Sequence, residues 1–273
     1  MITAEVQYLV KQAGRPIYYA SSAGRDAHYT VDVGLEPHRV EVNDARSRND
    51  TVEKNNDGLH PSGFDLVDHQ SKVSNFLDTD QISSIYEPEI ERLLKDLTGA
   101  NRVFIFDHTA RASDPELREE KQVREPATMV HNDYTAKSGV TCLKENLGDE
   151  AEALLKGRFQ IINVWRPLVG PVLNWPLALC DARSIDLADQ VDTERRSSTH
   201  VGEILLATYN ARHRWFYFSE MHPKEVLVFK TFDSEDCDRK PNSIHTSFEI
   251  PQLPANTPPR ESIETRALVF YQS

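Results

Sequence analysis

The chain has 273 residues, with 31 Lys and Arg against 43 Asp and Glu, a formal net charge of −12 and 39% hydrophobic residues. An acidic excess of that size repels phosphate backbones and anionic lipid headgroups, and no Lys/Arg-rich run offsets it locally, so the expected partner is a small molecule rather than nucleic acid or a membrane. Three widely spaced cysteines, Cys142, Cys180 and Cys237, form neither a disulfide framework nor a Cys-x-x-Cys motif, which points to a reducing, cytoplasmic setting.

In chain order, the first 80 or so residues are polar, with short strands predicted over 5–10 and 39–42 and a loop over 43–63 rich in Asn, Asp, Ser and Gly. The sequon Asn49-Asp50-Thr51 in that loop is without consequence in a cytosolic chain. Ile85, Ile90, Leu93, Leu94 and Leu97 then recur at helical spacing, with Pro88 fit for a first turn and Gly99 as a stop, so a helix is predicted over 82–97. A strand follows at 103–106 and a short helix near 149–156. The N-terminus lacks a basic stretch followed by an apolar one, and the longest uncharged apolar stretch, Pro167 to Cys180, contains three prolines, so neither a signal peptide nor a spanning helix is predicted.

From Arg158 onward, strands are predicted over 159–165, 202–209, 214–218, 225–232, 244–249 and 265–271, with Met221-His222-Pro223-Lys224 as a hairpin connection. No helix of crossover length separates them, so the sheet should be mostly antiparallel and closed as a barrel or jelly roll. The chain is expected to form one domain, with about 1–124 as an N-terminal extension that caps the mouth and about 125–273 as the core.

The eleven glycines form no Gly-x-Gly-x-x-Gly and no phosphate-cradling loop, and neither Gly-x-Ser-x-Gly nor His-Glu-x-x-His is present. What remains is His131 and Asp133, two apart in Thr128-Met129-Val130-His131-Asn132-Asp133-Tyr134-Thr135. On a strand they face the same side and supply two of the three ligands of a 2-His-1-carboxylate triad, which leaves positions open on iron. A His-x-Asp pair alone is common by chance. Downstream, His245 opens the run His245-Thr246-Ser247-Phe248, and Arg260, Ser262, Glu264 and Arg266 share parity. That order suits an iron enzyme in which a guanidinium grips the far carboxylate of 2-oxoglutarate, although Glu264 could instead hold Arg266 in a structural pair.

Several segments together carry a family resemblance: Val130-His131-Asn132-Asp133-Tyr134-Thr135, Asn163-Val164-Trp165-Arg166-Pro167-Leu168, Trp175-Pro176-Leu177-Ala178-Leu179-Cys180-Asp181, His213-Arg214-Trp215-Phe216-Tyr217-Phe218, Lys230-Thr231-Phe232-Asp233-Ser234, His245-Thr246-Ser247-Phe248 and the stretch Pro259 to Phe270. Over about residues 80–273 the sequence resembles the AsaB-type hydroxylase/desaturase family of Fe(II)/2-oxoglutarate-dependent oxygenases of fungal secondary metabolism. The resemblance implies a mainly β protein with flanking helices, a double-stranded β-helix of jelly-roll, cupin-like form. It implies iron on His131, Asp133 and His245, with His213 the competing third ligand, and 2-oxoglutarate and O2 as cosubstrates. Arg260 with Ser262 is preferred for the carboxylate grip, Arg266 being the close second, and Asn163, Trp165, Arg166 and Tyr134 are candidates for the pocket lining. The expected activity is oxidation of an unactivated carbon in a small apolar metabolite, by hydroxylation, desaturation or another oxidation such as endoperoxide formation, with succinate and CO2 released. A homodimer is compatible with this reading. The competing readings are a non-catalytic β-barrel accessory subunit and a metal-dependent hydrolase.

Overall fold

Val, Ile, Phe and Trp crowd the second half of the chain, and most of them sit in strands whose faces are covered on both sides. The computed structural model describes residues 1–12, 14–47, 54–55, 58–236 and 240–271; Cys237 and the Asn49-Asp50-Thr51 sequon lie outside the described residues. In chain order the elements are β1 (Ile2–Leu9), β2 (Ile17–Tyr19), β3 (Thr30–Val31), β4 (Leu35–Asp44), β5 (Phe64–Asp68), α1 (Thr79–Gln81), α2 (Glu87–Thr98), β6 (Arg102–Ala112), α3 (Pro115–Lys121) and β7 (His131–Asn132). They continue with α4 (Ala136–Leu147), α5 (Ala151–Leu154), β8 (Phe159–Pro167), β9 (Leu177–Cys180), β10 (Gln190–Arg196), β11 (Val201–Ala207), β12 (Trp215–Tyr217), β13 (Glu225–Asp233), β14 (His245–Ser247) and β15 (Glu261–Phe270).

Two sheets result, one of ten strands in the order β1-β4-β12-β9-β14-β7-β11-β10-β2-β3 and one of five in the order β5-β13-β8-β15-β6. Paired strands are antiparallel except β2 with β10 and β4 with β12. Leu177 and Leu179 from the larger sheet, with Phe218 just past β12, pack on Trp165, Leu227 and Phe229 from the smaller one, so the sheets face each other across a shared core. The architecture is the predicted double-stranded β-helix.

The helix predicted over 82–97 is there, and its limits have visible causes. Asp78 caps the start by accepting from the amides of Asp80 and Gln81. At the end, Gly99 adopts φ +71° and donates its N–H to the Lys95 carbonyl. A wider π turn, Ile82–Tyr86, joins α1 to α2. Ile82, Tyr86, Ile90 and Leu94 then pack on Ile162, Val164, Val226, Val228 and Val269, covering the outer face of the five-stranded sheet. Each such fully buried aliphatic side chain contributes about 1.5–3 kcal/mol.

Two expectations are corrected, and three elements, β9, α3 and α4, go beyond those predicted. The first 124 residues are not an extension separate from the core: β6 pairs with β15 along ten residue pairs, β5 pairs with β13, and β4 joins the larger sheet through β12, while Arg15, Tyr18, Ala23 and Leu77 line the cleft. Residues 221–224 do not close a hairpin, since β12 and β13 lie in different sheets. The proline-containing stretch ends in a central strand, β9, because its prolines fall before Leu177 and leave the ladder amides free. Helices α3 and α4, absent from the expectation, are each fixed by a local cap, Asp114 on Leu117 N and the Thr135/Ser138 box.

Candidate functional site

β7 and β14 are neighbours in the larger sheet, and their register sets His131 directly opposite His245. The two imidazoles therefore project from the same face, with ring centroids 4.2 Å apart. Asp133, just past the end of β7, brings Oδ1 to 3.5 Å from His131 Nε2 and 3.9 Å from His245 Nε2. One ligand-type atom from each of the three residues lies within 4.8 Å of the others.

The surroundings fix which atoms are free. His131 Nδ1 is 2.9 Å from the Met129 carbonyl, which can only accept, so the proton sits on Nδ1 and Nε2 keeps its lone pair. His245 is buried with its ring 4.9 Å from that of Phe229, and its Nδ1 has no partner among the described residues. Burial lowers the pKa of both imidazoles, with His131 lowering His245 further, so both are neutral at pH 7. Burial alone would raise Asp133, but the charge and hydrogen bond of the Arg266 guanidinium outweigh it and hold the carboxyl well below its usual range.

Asp133 has its second oxygen fully committed: Oδ2 accepts from Asn163 Nδ2 and from Arg266 Nε, each at 2.8 Å. Asn163 also donates to Glu264 Oε1 at 3.0 Å and accepts from Thr231 Oγ1 at 3.2 Å. Arg266 spreads its remaining donors over Glu264, Asp107 Oδ2 at 2.5 Å and Thr109 Oγ1 at 3.1 Å. These partners converge because Arg266 pairs with Asn163 on β8 and with Asp107 on β6. Arg266 is thus a saturated cation.

Arg260 is the opposite case. It is 2% exposed, yet no carboxylate lies within ion-pair distance among the described residues. Its Nη1 donates to the Trp175 carbonyl at 2.8 Å and to Ser247 Oγ at 2.7 Å, and its guanidinium carbon lies 5.5 Å from the Trp165 ring centroid. Trp175 holds φ +53°, a left-handed conformation uncommon for a non-glycine residue. Arg260 Nε and the hydroxyl of Ser262, two residues on, are both buried without a partner. Burial, with the Arg111 charge adding to it, pushes Arg260 down to about 9, which leaves it a cation at neutral pH. A buried cation and a buried hydroxyl left unpaired each cost free energy that an anionic ligand recovers.

The family described as "Oxidoreductase/YMDC permease-like domain" matches residues 6–270. The Fe(II)/2-oxoglutarate-dependent dioxygenase nvfI of Aspergillus novofumigatus is 34% identical over 243 residues, 86% of this chain and 84% of its own. The chain belongs to this dioxygenase family. The hydroxylase/desaturase CTB9 of Cercospora beticola is 32% identical over 88% of this chain and 80% of its own. A solved structure of the iron and alpha-ketoglutarate-dependent endoperoxidase NvfI superposes with a TM-score of 0.83 at 29% identity, covering 99% of this chain and 98% of that one. The protein is accordingly an Fe(II)/2-oxoglutarate-dependent dioxygenase, with Fe(II), 2-oxoglutarate and O2 as its cofactor and cosubstrates.

In this dioxygenase the remaining sequence-predicted residues divide cleanly. Asn163 reaches the His/Asp cluster, Trp165 lies under Arg260, and Tyr134 lines an open cleft of about 930 Å³ that His131, Asp133 and Arg266 also line. Arg166 does not join them. Alternation on β8 turns it to the outer face, where it donates to the carbonyls of His69 and Pro223 and to the Tyr86 hydroxyl at 3.2 Å. His213 is likewise remote: Nε2 donates to Asp189 Oδ2 at 3.1 Å, Nδ1 meets the Tyr8 hydroxyl at 2.8 Å, and Trp215 Nε1 donates to the same hydroxyl. It is a core histidine, and the competing third-ligand reading is withdrawn. Sequence reasoning missed Asp107 and Thr109, whose alternation along β6 is the signal that could have found them, and Ser247, which shares a strand face with His245.

Proposed function

We propose that His131, Asp133 and His245 hold the iron and that Arg260 with Ser262 binds the far carboxylate of 2-oxoglutarate, while a small organic substrate enters by the 930 Å³ cleft. The uncompensated, buried guanidinium of Arg260 carries this reading. The donor set fits the metal, since two neutral imidazole nitrogens and one carboxylate oxygen on one side of a site leave positions open for other ligands.

Ser247, which accepts from Arg260, projects from the same face of β14 as His245, two residues and about 7 Å along the strand. That separation suits a short dicarboxylate, with its keto-acid end at the histidines and its far end at Arg260. Asn163 and Arg266 are positioning residues: by holding Oδ2 of Asp133 they turn Oδ1 toward the two Nε2 atoms. When bound, the iron and cosubstrate supply the oxidising power, with succinate and CO2 leaving, and an unactivated carbon of the substrate is hydroxylated or desaturated. Phe106, Met129, Tyr134 and Ile204 contribute apolar wall to the cleft and exclude water from the reacting carbon.

A metal titration without oxygen tests the ligand assignment. His131→Ala and His245→Ala are expected to lose Fe(II) binding, whereas His213→Ala keeps it and lowers Tm through the broken Asp189–His213–Tyr8 chain. Loss of iron from a folded His213→Ala protein, with His245→Ala unaffected, would contradict the assignment.

A further inference from the structure

The cleft that contains His131 and Asp133 is lined by seven Lys and Arg against five Asp and Glu, an excess of cations in a molecule whose net charge is −12. Most of its cations are already matched. Arg15 and Lys137 share Glu203, Lys121 takes Glu261, and Arg266 takes Asp107, Asp133 and Glu264. Of the cleft carboxylates, Asp107, Asp133 and Glu203 are in those pairs and Glu194 holds Arg196, while Glu145 lies exposed on α4. Three cations are left over: Arg111, Arg124 and Arg195 have no carboxylate within ion-pair distance among the described residues. The side-chain bond of Arg111 goes to the backbone carbonyl of Glu125 at 2.8 Å, and the carboxylate of Glu125 accepts from Ser21.

We propose that Arg111, Arg124 and Arg195 form a subsite for a carboxylate of the primary substrate, so that the dioxygenase acts on an amphipathic carboxylic acid. This rests on reading the same cleft as the active site. The backbone gathers the three residues: Arg111 and Arg124 face each other across a parallel bridge, and Arg195 pairs with Tyr18, which lines the cleft beside them. Arg111 lies opposite Ser262 on β15, so the cluster borders the cosubstrate end of the site.

Their mutual proximity is also visible electrostatically. Burial lowers Arg124, and the charges of Arg111 and Arg195 lower it further. Like charges held together in a half-buried wall repel, and an anion between them removes that repulsion and takes up several guanidinium donors at once. The three residues are half-buried and all line the 930 Å³ cleft, within reach of a molecule lying against the apolar wall.

The test is equilibrium dialysis of the Fe(II)- and 2-oxoglutarate-loaded protein, without oxygen, against a panel of long-chain and aromatic carboxylic acids and their methyl esters. At least one acid is expected to bind at least tenfold more tightly than its ester. That preference should fall below twofold in the Arg124→Gln/Arg195→Gln variant and largely return in Arg124→Lys/Arg195→Lys. Retention of labelled 2-oxoglutarate should be the same in all three proteins. Equal binding of acid and ester, no retained acid, or an unchanged preference in the Gln variant would overturn the proposal. Loss of 2-oxoglutarate from the Gln variant would overturn it as well, assigning the cluster to the cosubstrate. Failure of the unmutated protein to hold Fe(II) would instead refute the metal-site reading, and the acid–ester comparison, repeated without metal, would still decide the carboxylate subsite.

Discussion

Asp133 shows how one residue's role depends on neighbours that its sequence context does not reveal. The two-residue spacing of His131 and Asp133 is legible because strand alternation puts both on one face. The division of labour between the oxygens of Asp133 is not, since it depends on Asn163 and Arg266 arriving from the opposite sheet. Removing one of these donors should loosen the carboxylate without removing a ligand. Asn163→Ala is therefore expected to weaken Fe(II) binding about 10- to 100-fold in a metal titration. An affinity unchanged within twofold would mean that Asp133 is oriented by something else. Arg260 and Arg266 share parity, and the sequence ranks Arg260 only narrowly ahead; their surroundings separate them, since Arg266 has three carboxylates around it and Arg260 has none among the described residues.

Among the elements, α4 forms one wall of the cleft, because Lys137, Ser138, Thr141 and Cys142 line it. Its seat on the barrel is set by a missing side chain. A Cβ on Gly139 would lie 2.3 Å from ring carbons of Phe232, which is itself 1% exposed and cannot yield. Gly139→Ala should gain about 1 kcal/mol of helix propensity and lose more to overpacking, so urea unfolding is expected to show a net loss of about 1–2 kcal/mol. A stabilised variant would show that α4 shifts freely. The same helix is tied at its start by Glu203 of β11, which takes Lys137 at 2.9 Å, Arg15 at 2.6 Å and the Thr135 hydroxyl at 2.9 Å. Lys137 foremost, then Arg15 and Thr135, outweigh the opposing effect of burial and hold Glu203 at about 2 instead of 4.5.

A carboxyl lowered by folding stabilises the protein above its unfolded pKa, and that stability disappears as pH falls from about 4.5 through 2. Glu203→Gln should thus lower Tm at pH 7, with a deficit that narrows steadily between pH 5 and pH 2. A deficit independent of pH would mean that the ion pairs contribute nothing. None of this was visible in the sequence, where α4 follows a polar stretch with only a weak apolar stripe, whereas α2 was legible because its stripe, its Pro88 and its Gly99 agree.

At the scale of the molecule, the second half announced its strands through short apolar runs and turn residues, while the first 80 residues looked like a cap. They carry polar residues at alternate positions because β1 and β5 are edge strands and β4 lies beside β1, each with one face partly wet, and a half-exposed strand gives a weaker hydrophobic signal than β8, buried throughout. The acidic balance keeps its meaning for polyanions and sharpens it for the site. In a chain of net charge −12, Arg111, Arg124 and Arg195 line one cleft without a carboxylate partner among the described residues, and Arg260 is buried without one as well. The account as a whole depends on what that cation binds. Calorimetric titration of the Fe(II)-loaded protein with 2-oxoglutarate, without oxygen, should show Arg260→Gln losing about 10- to 100-fold in affinity for the cosubstrate while holding iron as the unmutated protein does. An unchanged 2-oxoglutarate affinity in folded, iron-loaded Arg260→Gln would contradict it.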